Sequence, residues 1–542
     1  MERRDAPPPA AAEGPGRRRV LRHALLASLA LVGVVAAGTL LLAAFRATAG
    51  EVVLAHTEGV NFVSAERLAE GGFSALYPAH PESSRPYLIS PYGPLLYVEW
   101  VAARKLLGRP DSLAPGRLVA LSALVACLGL LWALLRRTVT DRRTALLFTL
   151  VPLASPFVIE SAAIGIADVA GLAWVGLGLL LAGRAAESRG HVWPAAVAFA
   201  LALLTKQSLV AGLLAAALYL LLEGQARRAG ALVSATLGLA LAPAAAFEAL
   251  TGGGLSAATV GGLTQPLARA QLGFLLPYLF RSWLFWPLLA LSLTGLAGFR
   301  SASRGQRLAL LYSASALAIA LATLGKVGSS TNYFIEPVLA LCWSAAVGFE
   351  RLAALAPRAG AAALVLVTAA ALPAAPDLLR RARSLTDYRE LIAGAEHELG
   401  DRDLDGWVLS GVDLFPIVER RGGVVYLNDS YLYGLFWEAG RWPIGGFRSD
   451  VACGRLVSVL PPVVPARPAG ARWGMYWEDW SFWNSPAVVP PILAGYEPAP
   501  GPAERIVPVL KPRPEARCPA AQPGPAAAPS PQPMSPASRN EK

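Results

Sequence analysis

Along the first two thirds of the chain, apolar runs of roughly 18 or more residues alternate with short polar or basic segments. A helix rises about 1.5 Å per residue, so such a run crosses the ~30 Å hydrocarbon core of a bilayer. The pattern predicts eleven spans, near 20–45, 114–135, 144–160, 163–183, 191–204, 208–223, 230–250, 282–299, 307–324, 333–350 and 359–375. The fifth and sixth are short. Only Thr205-Lys206-Gln207-Ser208 separates them, as expected of two short helices meeting at one face. Between the first two spans, the long polar segment 46–113 offers an amphipathic helix from Glu58 to Glu70, capped by Thr57. A Gly71-Gly72 break and a Tyr/Pro-rich loop follow. Segment 251–281 is apolar enough to lie in the membrane interface, with Trp283 and Trp286 as anchors.

Beyond Pro376 the periodicity changes. Residues 377–399 read as an amphipathic helix. Short apolar stretches beginning at Trp407, Gly423 and Gly454 read as strands with helical or irregular segments between them, a small α/β domain. From about Lys511 the chain is rich in Pro, Ala and Ser and is expected to be disordered. The fold class is therefore a polytopic α-helical membrane protein of about eleven transmembrane helices with a small C-terminal outer-face α/β domain. The divisions are a disordered N-terminus 1–19, a membrane domain 20–375, an outer domain 376–510 and a tail 511–542. No internal repeat is visible.

Composition supports this class. Hydrophobic residues make up 54% and charged residues only 16%, against about 25% charged in soluble chains. The net charge of +11 comes largely from Arg clusters between apolar runs. These set topology and do not signal nucleic acid. The clusters at 17–22, 136–143, 184–189, 227–228, 300–307 and 351–358 each follow an even number of spans, so all can be cytoplasmic together. That places the N-terminus inside and the C-terminus outside. The first apolar run, about 25 residues, is long for a signal peptide and reads as an uncleaved span. Cys127 and Cys342 fall in spans as small buried hydrophobes. Cys453 and Cys518 fall outside, where a disulfide and two free thiols are both open.

Ionisable residues at membrane depth are costly and point to function. Four places stand out, all on the outer side of this topology. Glu58 follows the first span; an ordinary first-turn acid favoured by the helix dipole is the alternative, and a solvated face is expected for Glu66 and Glu70. Asp168 lies one turn inside a span and needs a cation, a wet cavity or a proton. Lys206 sits at a helix break without a neighbouring acid, where it either snorkels or holds a phosphate. Glu336, with Asn332 and Tyr333 before it, opens the tenth span; a structural pair with Lys206 or Lys326 is the alternative. No P-loop, nucleophile elbow or His/Cys cluster of metal-ligand spacing occurs.

These residues lie within a wider pattern. It consists of Glu70-Gly71-Gly72 followed by Leu76-Tyr77-Pro78, the run SPYGPLLY at 90–97, Asp168, TKQS at 205–208 and NYFIEP at 332–337. In order and spacing it resembles the C-type glycosyltransferases, within them the bacterial protein-mannosyltransferase and aminoarabinose-transferase relatives, over roughly 20–375. The resemblance implies transfer of a sugar from a polyprenyl-phosphate donor to a lipid, glycan or protein acceptor, in the bacterial inner membrane. It makes Glu58 the catalytic base, with inversion at the anomeric carbon. Lys206, then Arg281, would hold the departing phosphate. Asp168, Asn332, Tyr333 and Glu336 would line the donor site, and Tyr87, Tyr92 and Tyr97 would stack on sugar or acceptor. No cofactor is expected, and a divalent metal is left open. Two departures are visible. The family commonly has Asp where Glu58 stands, and Arg where Ile166 precedes Asp168. A lipid-linked-sugar flippase would instead place its sites at mid-membrane between repeated halves. A scaffold would use only the outer domain, to bind a partner.

Overall fold

A computed structural model describes residues 15–461 except 49, 51, 110–111, 187–190, 264, 266, 403 and 439, together with 483, 485, 487–499, 509–514 and 516. The chain is a multi-pass helical membrane protein. Among the described residues, seven helical segments are long and apolar enough to cross a membrane, or eight with one bent pair counted as a span. The chain opens on a long first helix, α1 (Pro15–Thr48). Two helices, α2 (His56–Leu76) and α3 (Pro94–Leu107), then lie between α1 and the next span, α4 (Ala114–Thr138).

The expected span 144–160 is interrupted. It forms α5 (Arg142–Leu150), a 3-10 turn over Val151–Ala154 and the short α6 (Pro156–Ser161). Pro152 lacks the N–H that would carry the α-helix through. The expected pair around Lys206 is α8 (Val192–Thr205) and α9 (Ala211–Leu222), preceded by α7 (Ala167–Ala185) and followed by α10 (Ala226–Leu250). Segment 251–281 folds into α11 (Gly254–Leu263) and α12 (Arg269–Arg281). The latter meets α13 (Phe285–Leu296) at a bend of 82°. The remaining bundle helices are α14 (Arg304–Thr323), α15 (Ile335–Leu355) and α16 (Pro357–Ala371).

The outside of the bundle is apolar, as contact with lipid requires. Val34 and Leu41 are each 72% exposed, and Leu241 and Leu366 each 62%. The apolar part of α10 is only 17% buried, whereas that of α15 is 61% buried, so α15 is central and α10 peripheral. The basic connections share one end. Arg304 and Arg307 each pair with Glu223 at 2.8 Å. Gln306 bonds the Thr138 carbonyl, Arg228 those of Ala185 and Ala186, and Glu350 accepts from Thr140 and Asp141.

At the opposite end, α17 (Ala374–Leu399) leads to a five-stranded mixed sheet. Its strands are β1 (Gly406–Ser410), β2 (Gly423–Val425), β3 (Ser458–Leu460), β4 (Tyr496–Pro498) and β5 (Leu510–Pro512), in the order β2-β1-β3-β5-β4. β1 pairs in parallel with β2 and β3, and β5 is antiparallel to β3 and β4. Helices α18 (Phe415–Arg420), α19 (Ser430–Glu438), α20 (Gly445–Ala452) and α21 (Val489–Gly495) complete this layer. Strand β5 runs across the expected boundary at 510/511, tied by a 3.3 Å pair between Lys511 and Glu497. Cys453 is disulfide-bonded; Cys518 and most of the expected tail lie outside the described residues.

Candidate functional site

The chemistry gathers where α7, α8 and α15 begin or end under the sheet layer. α7 starts at Ala167 after an extended segment, so Asp168 occupies its first turn, 4% exposed. Lys206 is the residue that ends α8, with extended backbone (φ −146°) and 7% exposure. Its Nζ lies 2.5 Å from Asp168 Oδ1. Asn332 donates to the other oxygen, Oδ2, at 2.9 Å. Two rings flank the ammonium, Tyr92 at 5.7 Å and Tyr333 at 5.4 Å from Nζ, within cation–π range.

The SPYG segment reaches this point because it lies directly on the end of α8. Gly93 N–H donates to the Thr205 carbonyl at 3.3 Å. A Cβ on Gly93 would stand 2.0 Å from the Leu204 carbonyl oxygen, so only glycine fits. Gln207 fastens the same loop by donating to the Pro91 carbonyl at 3.0 Å. Lys326, half-buried, lies within electrostatic reach of Lys206, and among the described residues no carboxylate pairs with it. Burial and the neighbouring Lys206 lower its ammonium to about 8.

The alternative of a Lys206–Glu336 pair is not realised, because Lys206 pairs with Asp168. The cation that Ile166 fails to supply thus comes from a different helix. Glu336 accepts from Tyr312 at 3.2 Å and remains within electrostatic reach of Lys206 and Asp168.

Glu58 is placed differently from the other candidates. It is 0% exposed and all its acceptor capacity is in use. Oε1 accepts from Arg117 Nε at 2.8 Å and Gly165 N–H at 2.9 Å. Oε2 accepts from Arg117 Nη2 at 2.7 Å and Leu54 N–H at 2.8 Å. One turn on, Asn61 donates to the Gly165 carbonyl at 2.9 Å. The pair thus clamps both sides of the peptide segment that delivers Asp168, three residues later. α2 itself begins at His56, and its N-cap is Ala55 with no side-chain bond, in place of Thr57. Glu66 is buried against Arg104 because α3 covers that face, contrary to the solvated face expected, while the Glu70 side chain is 57% exposed.

The sheet layer closes over this group by strand-like pairing. Tyr87 N–H donates to the Tyr426 carbonyl at 2.7 Å, and Asn428 clasps Ile89 through its amide N–H and carbonyl at 2.8 and 3.0 Å. Tyr87 packs edge-on against Tyr426 and Tyr433, with centroids 5.4 and 5.1 Å away. It therefore welds the sheet layer to the helical bundle. Tyr97 is fully buried and donates to Asn61 at 3.3 Å. Of the three tyrosines, Tyr92 is the one against Lys206. Arg281 is exposed at the end of α12, with no ion pair to the cluster among the described residues.

Comparison with known proteins bears on this arrangement. Residues 96–247 match the family described as dolichyl-phosphate-mannose-protein mannosyltransferase. ArnT from Cupriavidus metallidurans bound to undecaprenyl phosphate superposes with a TM-score of 0.60 at 14% identity, covering 90% of this chain and 99% of that one. Its apo state gives 0.55 at 14% identity, covering 80% and 93%. The chain shares the fold of these ArnT structures. An Archaeoglobus fulgidus oligosaccharyltransferase tethered with an acceptor peptide matches at 0.50 and 11% identity, covering 87% and 72%. Among curated proteins none matches the sequence significantly.

Within this fold, Asp168, Lys206, Asn332, Tyr333 and Tyr92 form one cluster, with Glu336 and Lys326 at its margin. Sequence inspection passed over two residues beside it. His56 Nε2 lies 3.1 Å from Asp429 Oδ1, and the pair is buried, at 7% and 2% exposure. His56 is one of two histidines in the opening loop, a weak signal. Asp429 looks like an ordinary helix cap and does cap α19, accepting from Leu432 N–H at 2.8 Å. Among the described residues, no group of three or more His, Cys, Asp or Glu is arranged to hold a metal ion.

Proposed function

We propose that this protein is a membrane glycosyltransferase moving a sugar from a polyprenyl-phosphate donor to a hydroxyl of an envelope lipid, glycan or protein, with inversion at the anomeric carbon. The observation that carries this is the buried Lys206–Asp168–Asn332 group flanked by Tyr92 and Tyr333, with Lys326 beside it and paired to no carboxylate among the described residues. A buried ammonium held between rings and a carboxylate is oriented before substrate arrives. The phosphate leaving group of the donor carries a charge that this Lys and Lys326 would neutralise as the C1–O bond breaks. Asp168 and Asn332 hold Lys206 in place, and Glu336 and Tyr333 are placed to bond donor hydroxyls. Arg281 would serve the lipid phosphate from the membrane edge.

The topology we propose is the eleven-span arrangement in the bacterial inner membrane, with basic loops and N-terminus cytoplasmic. The sheet domain then faces the outer side. The disulfide at Cys453 agrees with an oxidising compartment. Clamped by Arg117, Glu58 has no open lone pair for a base, and its geometry suits bracing of the Asp168 segment.

The test is Lys206→Met in the full-length protein in nanodiscs, with undecaprenyl phosphate as probe. Affinity is expected to fall at least tenfold, and a strain carrying only this variant to lose one sugar from its envelope. Undecaprenyl phosphate affinity equal to that of the wild type would sink the assignment.

A further inference from the structure

A base that accepts a proton from an attacking hydroxyl needs three things. It must be a held carboxylate, near the leaving group, with an oxygen that nothing else occupies. Glu58 fails on the last count, with four donors on two oxygens. Asp168 has each oxygen engaged, by Lys206 and by Asn332. Glu336 carries one bond, from Tyr312, but lies inside α15, among the membrane spans.

Asp429 meets all three. Its Oδ1 accepts from His56 Nε2 at 3.1 Å and from Leu432 N–H at 2.8 Å. A carboxylate only accepts, so the His56 proton sits on Nε2. Among the described residues, Oδ2 accepts no hydrogen bond. The side chain is held rigidly, because Leu427 pairs with Tyr87 and Asn428 clasps Ile89 on the residues just before it. Asp429, Asp168 and Tyr333 all lie within electrostatic reach of Tyr92, the ring that flanks Lys206. The phosphate-binding lysine and this carboxylate are therefore both neighbours of one tyrosine.

We propose that Asp429, contributed by the outer domain, is the general base of the transfer, and that His56 is the residue that positions it. This rests on the proposed transferase function. The acceptor oxygen forms its bond to C1 of the sugar while the C1–O bond to phosphate breaks. The bonding pair leaves on the phosphate oxygen, and the hydroxyl proton passes to Asp429 Oδ2. Polyprenyl phosphate departs, and the proton returns to solvent before the next cycle. The outer domain is then part of the catalytic machinery. The acceptor enters between it and the Tyr92 loop.

The experiment compares Asp429→Asn with the wild type, each full-length, in nanodiscs and in a strain lacking the native copy. Asn keeps the shape and both bonds to Oδ1. The expected result is unchanged undecaprenyl phosphate affinity and unchanged thermal unfolding. The initial rate of labelled sugar entering the envelope fraction should fall at least about 100-fold, the lower range for loss of a general base. In Asp429→Ala membranes, added formate should restore part of the rate. His56→Gln, whose amide still donates, should retain more rate than His56→Leu. An Asp429→Asn rate within threefold of wild type, with Lys206→Met inactive, would overturn the base assignment and leave the transferase reading standing. Loss of undecaprenyl phosphate affinity or folding in Asp429→Asn, in step with the rate, would make the residue structural and overturn it too. If even the wild type binds no undecaprenyl phosphate, the transferase reading fails and takes this assignment with it.

Discussion

Replacing Glu58 by Gln separates a brace from a base. The substitution keeps volume and shape but removes the charge that the Arg117 guanidinium, itself 0% exposed, depends on. It also turns one acceptor oxygen into an NH2 group. That NH2 must face either Arg117 Nε and Gly165 N–H, or Arg117 Nη2 and Leu54 N–H, so donor meets donor in both rotamers. Removing one partner of a buried pair costs ~3–5 kcal/mol. At about 1.4 kcal/mol per tenfold, unfolding should accelerate by ~10²–10⁴ if the clamp is already broken in the unfolding transition state. A rate is the proper quantity, because a large membrane protein seldom unfolds reversibly. The assay is the half-life of monodisperse protein in detergent at fixed temperature. Glu58→Gln combined with Arg117→Met should recover part of the loss, since no buried charge is left unpaired. Full recovery is not expected, because Arg117 also donates to the Arg46 carbonyl at 3.0 Å. A Glu58→Gln protein of normal half-life and lipid affinity but no transfer would refute this. It would return the base to Glu58 and displace Asp429.

Three further outcomes follow from the same geometry. Asp168→Asn and Lys206→Met should each destabilise by ~3–5 kcal/mol, since each strands a buried charge. The double variant should regain thermal stability without regaining undecaprenyl phosphate binding, which a lipid-binding titration would show. Gly93→Ala should weaken that binding about tenfold or more, because its methyl must displace the Leu204 carbonyl and overpacking costs ~1–3 kcal/mol. Lys326, whose ammonium is lowered to about 8, is charged below that pH and neutral above it. Undecaprenyl phosphate affinity should therefore decline as pH rises through 8, and Lys326→Met should flatten the decline.

Much of this architecture was already present in the order of residues. Span-length apolar runs must be helices in a bilayer, since nothing else satisfies the backbone there, and the Arg clusters share an end because each follows an even number of runs. Asp168, Lys206 and Asn332 could be picked out singly, because a polar group at membrane depth is expensive and needs a reason. Their partnership was not legible: Asp168 and Lys206 are 38 residues apart and Asn332 and Asp168 are 164 apart. Local pattern says nothing about which of several lysines meets which acid, and a Glu336 pair with Lys206 or Lys326 stayed open for that reason. Glu58 illustrates the same limit. Its position after the first span marked it as reactive, but whether a carboxylate is a base or a clamp depends on what fills its lone pairs. That was decided by Arg117, 59 residues on. Asp429 lies 373 residues from His56 in a helix-capping position that thousands of ordinary turns share. Sequence by itself determined a multi-pass helical membrane protein and the residues too costly to be accidental. Only the tertiary structure decided which carboxylates are spent on holding the fold and which keep an oxygen open, because hydrogen-bond capacity is allotted in space and not along the chain.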